Sequence, residues 1–188
     1  MTLNIADQYY LKAKAAMSGY CTDWEEACEA IGYAISYDDE HCASLCLLGE
    51  IQAMYLGNYE AAFENFDKCI ASNVEYAEVY PTYIKFLIWA DEIDKAKKLV
   101  TFAKKVKAVS IAQLLWCEAY LFEVEKKYKQ SLKCLEKAKT YTYNEDFMYF
   151  LQNEEYRIQK KLDIFKKKQK TKLAKKRSKN VQFRSLLD

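Results

Sequence analysis

Apolar and polar residues follow a helical period along this chain, and one version of the pattern occurs four times. DWEEACEAIGYAI begins at Asp23, NYEAAFENFDKCI at Asn58, EIDKAKKLVTFAK at Glu92 and KYKQSLKCLEKAK at Lys127, so successive starts lie 35, 34 and 35 residues apart. Aligned on those starts, the second position reads Trp24, Tyr59, Ile93, Tyr128, and the fifth reads Ala27, Ala62, Ala96, Ser131. The ninth reads Ile31, Phe66, Val100, Leu135, and the twelfth Ala34, Cys69, Ala103, Ala138. Small residues at the fifth and twelfth positions are two helical turns apart and form one stripe, along which another helix can approach closely. The bulky ninth position fills the groove between them.

A second helical stretch precedes each segment, roughly over residues 7–20, 42–56, 81–90 and 111–126. Thr22 followed by Glu25 fits a capping box, Asn58 suits an N-cap, Pro81 suits a first turn, and Ser110 and Asn144 precede new helices. Each period therefore reads as helix, short turn, helix. Further along, Phe147, Leu151, Ile158, Leu162 and Phe165 share one helical face and predict a capping helix over 145–165. KKKQKTKLAKKRSKN, which follows, has almost no apolar face, so residues 166–188 are expected to form a basic tail whose helix projects or frays.

A period near 34, two helices per unit and the aromatic, small, bulky, small order on the second helix together resemble the tetratricopeptide repeat (TPR) family. The resemblance covers residues 7–141 and is best in LCLLGEIQAMYLGNYEAAFENF, with Leu48-Gly49 and then Gly57-Asn58-Tyr59. The units lack the family's closing proline, having Asp38-Asp39, Asn73-Val74, Ala108-Val109 and Tyr143-Asn144 instead. The expected fold is all-α: a right-handed α-solenoid of about four TPR-like repeats (7–40, 41–75, 76–109, 110–144) closed by the capping helix. Since one unit cannot bury its own apolar face, stacking of neighbours makes the core.

Composition agrees and excludes alternatives. Four Gly and one Pro in 188 residues suit a nearly all-helical chain without strands, and 51% hydrophobic residues suffice for one compact domain. No run of 18 apolar residues occurs, and MTLNIADQYY lacks the apolar region of a signal peptide. Seven cysteines, an odd number scattered over helical faces, point to free thiols in a reducing compartment. The expected location is cytoplasmic, or nuclear in a eukaryote, since KKRSK passes for a nuclear localisation signal.

Catalytic chemistry finds little to work with. The single histidine, His41, removes most triads, and no glycine-rich phosphate loop or zincin motif occurs. His41, Cys42 and Cys46 form the one conceivable metal trio, but the spacing matches no common zinc pattern and packing is the expected role of Cys46. No cofactor, metal or enzymatic activity is expected.

The resemblance implies a concave surface lined by the first helices, with Tyr9, Tyr20, Leu47, Ile51, Tyr55, Lys85, Trp89, Trp116 and Tyr120 on or near it. Such an aromatic groove implies a non-enzymatic interaction module or adaptor that holds a peptide or helix of a partner protein. The family's carboxylate clamp is not matched, because Ala16 stands at an asparagine place and Pro81 near a lysine place. Charge suggests a second contact. Residues 1–156 carry 16 Lys and Arg against 25 Asp and Glu, whereas residues 157–188 carry 13 against 2. Lys166, Lys167, Lys168, Lys170, Lys172, Lys175, Lys176, Arg177 and Lys179 concentrate that excess, and a nucleic-acid or ribonucleoprotein accessory role for the tail is the alternative reading. With no aromatics interleaved among these lysines, sequence-specific RNA reading is not expected.

Overall fold

The computed structural model describes residues 4–18 and 21–184, with side chains as far as residue 169. The described residues form nine helices and no strand: α1 (Ile5–Ser18), α2 (Trp24–Tyr37), α3 (Cys42–Met54), α4 (Tyr59–Ser72), α5 (Val79–Trp89), α6 (Ile93–Ala103), α7 (Ile111–Val124), α8 (Tyr128–Lys139) and α9 (Glu145–Arg184). The chain divides into two compact units, Met1–Ser110 and Ile111–Asp188. In the first, α1 packs on α2, α3 on α4 and α5 on α6, and α3 also touches α1 and α5. In the second, α8 packs on both α7 and α9.

The small-residue stripe explains why the helices pair. Ala27, Ala34, Ala62, Cys69, Ala96, Ala103, Ser131 and Ala138 are all 0% exposed, as the fifth and twelfth positions require. The ninth-position residues Ile31, Phe66, Val100 and Leu135 are buried beside them. The helices approach closely where α3 crosses α4. A Cβ on Gly49 would lie 2.7 Å from Phe66 Cε1 and 3.1 Å from the carbonyl oxygen of Ala62, so only glycine fits that crossing without displacing a buried ring. At the corresponding crossing of α7 and α8, the Ser131 hydroxyl donates to the Ala119 carbonyl at 2.6 Å, which satisfies the one polar residue in the stripe.

Three of the turns inside the hairpins share one construction. Gly57, Asp91 and Lys126, each just before a second helix, have φ of 65°, 62° and 61°. The next residue's N–H then closes the first helix: Asn58 donates to Gln52, Glu92 to Leu87 and Lys127 to Phe122, each at 2.8 Å. This is a left-handed C-terminal cap, natural for Gly57 and strained for Asp91 and Lys126. Between hairpins, Asp38 and Asn73 take nearly the same conformation, and their side chains accept from the N–H groups of Glu40 at 3.1 Å and Glu75 at 3.0 Å. These Asx turns reverse the chain where the sequence lacks a proline.

One cap differs from the sequence-based expectation. α2 is capped by Asp23, whose carboxylate accepts from the Glu26 N–H at 3.0 Å, and not by the Thr22 capping box. A carboxylate one residue nearer the helix is the better acceptor for these first N–H groups. α9 runs unbroken through residue 165 into the basic stretch as far as Arg184, so no break in backbone structure marks the change in composition. Asn58 and Asn144 cap as expected, accepting from Ala61 at 3.2 Å and Phe147 at 2.8 Å.

Candidate functional site

In residues 1–110 the expected groove residues divide by burial. Leu47 is 8% exposed and Ile51 3%, and both join Ala13, Ala30 and Ile31 in the core, so they are withheld from a partner. The physical reason is that α3 contacts α1 and α2 as well as α4 and α5, and Leu47 and Ile51 lie in the cluster that it forms with α1 and α2. Tyr55 and Trp89 remain open, at 51% and 45% exposure. Each stands three residues before the N-cap of its second helix, Asn58 and Glu92, so they are equivalent positions of successive hairpins. Tyr20 holds the same position ahead of Asp23 in sequence, but lies outside the described residues.

Neighbours support these rings. Trp24 meets Tyr55 edge-on with ring centroids 4.5 Å apart. Lys85 lies over the Phe86 ring at 4.3 Å and the Trp89 ring at 5.5 Å, with its ammonium 3.5 Å from Glu50 Oε1. A cation held over the indole and balanced by one carboxylate keeps this surface mixed in character. Tyr9, half-buried, packs against Tyr33 at 5.2 Å and stacks on Tyr37 at 5.7 Å. Tyr33 and Tyr37 did not stand out in the sequence, although their spacing of four on α2, off the buried stripe, carries the signal.

In residues 111–188, Trp116 and Tyr120 stack at 6.4 Å, and Trp116 meets Phe150 of α9 edge-on at 5.5 Å. Trp116 packs on the cluster of Leu115, Ala119, Leu135, Ala138, Leu151 and Ile158, and its Nε1 is buried without a hydrogen-bond partner. It therefore contributes mainly to packing. At the equivalent of Tyr55 and Trp89, three residues before Lys127, this unit has Val124.

Sequence reasoning missed a buried, multiply bonded carboxylate in residues 111–188. Glu123, 5% exposed, accepts from both terminal nitrogens of Arg157, one of them at 2.8 Å, and from Lys161 at 2.5 Å. Arg157 is itself held by Glu154, through Nε at 3.0 Å and a second bond at 2.7 Å. Burial pushes the Glu123 carboxyl up, but the hydrogen bonds and charges of Arg157 and Lys161 outweigh it and hold the pKa below the usual carboxylate range. The cue was an acid four and eight residues after Ala119 and Leu115 on an apolar stripe. In the tail, Lys166, Lys167 and Lys168 are exposed on α9. Lys170, Lys172, Lys175, Lys176, Arg177 and Lys179 lie where only the backbone is described.

His41 does not face the thiols as a ligand would. Its Nε2 lies 3.1 Å from Asp7 Oδ1 and its Nδ1 2.8 Å from Ser44 Oγ, which ties α1 to α3. Burial pushes the Cys46 thiol up to about 12, far from a reactive thiolate. Cys42 and Cys69 each point their sulfur at the other's carbonyl oxygen, at 3.5 and 3.6 Å, and none of the seven cysteines is in a disulfide. Among the described residues no group of three or more His, Cys, Asp or Glu side chains has the arrangement of a metal site. Nor is any described helix long and apolar enough to cross a membrane. Comparison with protein-family models and with curated proteins gives no match.

Proposed function

We propose that the chain is a non-enzymatic interaction module, a TPR-like α-solenoid in which α9 caps the last repeat and exposed aromatics of the first helices hold a peptide or helix of a partner protein. The observation that carries this reading is the repeated position Tyr55 and Trp89, exposed on successive hairpins while the equivalent small-residue stripes are fully buried. Large aromatics left in water at a repeating site give a partner large contact area with little ordering cost. The shared left-handed caps at Gly57, Asp91 and Lys126 support the repeat reading, because backbone geometry recurs where residue identity does not.

Selection of binding peptides from a random library on the full chain tests it. Selected peptides are expected to dissociate about 30-fold faster from the Tyr55→Ala/Trp89→Ala variant, the size of an anchor worth about 2 kcal/mol. Peptides that bind wild type and variant alike would defeat the aromatic surface. A second reading, affinity for a polyanion, is favoured by the continuity of α9 with the basic stretch, which carries the lysines on one extended element.

A further inference from the structure

The sequence places no aromatic among the lysines of the tail, but the fold does. A cleft of about 430 Å³ opens between the start of α8 and α9, lined by Lys126, Lys127, Lys129 and Lys166 with Tyr128 and Phe165. That volume falls within the usual range of small-ligand sites. The two rings come from segments 37 residues apart and meet edge-on with centroids 5.6 Å apart, each half-buried against Leu162 and the helices beneath.

The cations are incompletely balanced. Lys127 is paired with Glu125 at 2.6 Å, and Lys166 reaches Asp163 only at 4.0 Å. Among the described residues no carboxylate lies within ion-pair distance of Lys126 or Lys129. Like charges gathered at one opening raise the local potential, and an anion entering it relieves that repulsion. An apolar, aromatic wall beside the charges asks for more than an anion: the ligand should carry a flat ring next to its charge. From the cleft, α9 continues with Lys167 and Lys168 and then the six further cations of the sequence up to Lys179, so the ligand should also repeat its charge.

We propose that this cleft binds a single-stranded polynucleotide, one base packing against Tyr128 and Phe165 while its phosphates lie among Lys126, Lys129 and Lys166. A single strand suits the site because its bases are free to leave their neighbours and reach a ring, whereas those of a duplex are not. An acidic peptide would match the charge but has no flat ring accompanying each charge. The inference rests on the polyanion reading of α9 and is independent of the aromatic surface in residues 1–110.

The test is fluorescence anisotropy of the full chain with labelled oligo(U) and oligo(dT) dodecamers, and with poly-glutamate as the acidic-peptide probe, across a salt series. Phe165→Leu keeps the charge and the apolar volume while removing the ring, and should weaken oligonucleotide binding about five-fold or more. Lys126→Gln/Lys129→Gln alters only exposed side chains, so it should fold normally and lower the slope of log affinity against log salt by about 1.4. Equal loss with both oligonucleotides means that base and phosphate are recognised; loss with oligo(U) alone adds recognition of the ribose hydroxyl, and either result supports the site. Wild-type binding by the cleft variants, with loss in Lys175→Gln/Lys176→Gln/Arg177→Gln, would overturn the cleft and leave the tail reading standing. Absence of binding by the wild type even at about 50 mM salt would overturn both. Tighter binding of poly-glutamate, indifferent to Phe165→Leu, would overturn the cleft in favour of an acidic protein.

Discussion

Residues 1–110 and 111–188 are built from the same hairpin, yet they are held together and charged in opposite ways. The first unit carries 10 Lys and Arg against 17 Asp and Glu, the second 19 against 10. The first is closed by apolar packing: α5 alone buries Val79, Tyr80, Pro81, Tyr83, Ile84, Phe86, Leu87 and Ile88. The second adds a buried carboxylate, Glu123, clasped from α9 by Arg157 and Lys161. At one repeated surface position the first unit exposes Tyr55 and Trp89, where the second has Val124. The difference teaches that a repeat can keep its internal stripe while its outward positions and its closing contacts diverge, because only the stripe is fixed by helix approach.

Breaking the polar clasp should give the largest effect. Arg157→Ala leaves the buried Glu123 with Lys161 alone, and unfolding of the second unit should become easier by about 3 kcal/mol, read by denaturant titration. Acid acts on the same group. Because the folded pKa of Glu123 is depressed, its stabilisation is fully present above the unfolded value near pH 4 and is lost as the pH falls through the folded value. Among the described residues of the first unit no carboxylate is buried. In a Trp24→Phe/Trp89→Phe background, Trp116 fluorescence should therefore report loosening of the second unit below about pH 4, ahead of any change in the helix signal of the first.

Overpacking sharpens the other side of the comparison. Ala96 is 0% exposed on α6, and Ala96→Phe should lower stability by about 1–3 kcal/mol, seen as a reduced denaturant midpoint with binding of oligonucleotides unchanged. An unchanged midpoint would mean that the stripe does not set the approach of α5 and α6. The smallest effect belongs to the turn that both units share. Asp91→Gly and Lys126→Gly relieve a left-handed residue and should each stabilise by about 0.5–1 kcal/mol, whereas Gly57→Ala should destabilise by a similar amount, measured by thermal melting.

The stripe and most helix ends were legible in the sequence because they depend on local facts: small residues seven apart, and an asparagine placed to accept from a first turn. Where two acceptors stood side by side, as Thr22 and Asp23, spacing could not choose between them. The surface was less legible. The resemblance implied that Leu47 and Ile51 line a groove, and only the neighbours of α3 decide that they are buried. The Glu123 clasp joins residues 34 and 38 apart, and the cleft joins Tyr128 to Phe165, so both depend on how α9 returns to α7 and α8. The left-handed caps at Asp91 and Lys126 went unread because only Gly57 has the residue that advertises such a turn.

The three tryptophans provide the most direct test of the proposed interaction surface. Trp89 belongs to it, Trp24 packs on Tyr55 within it, and Trp116 lies in the other unit with its Nε1 buried. Titration of the full, isotope-labelled chain with a selected peptide should shift the indole N–H resonances of Trp89 and Trp24 and leave that of Trp116 in place. A shift confined to Trp116, or none at saturating peptide, would contradict the account.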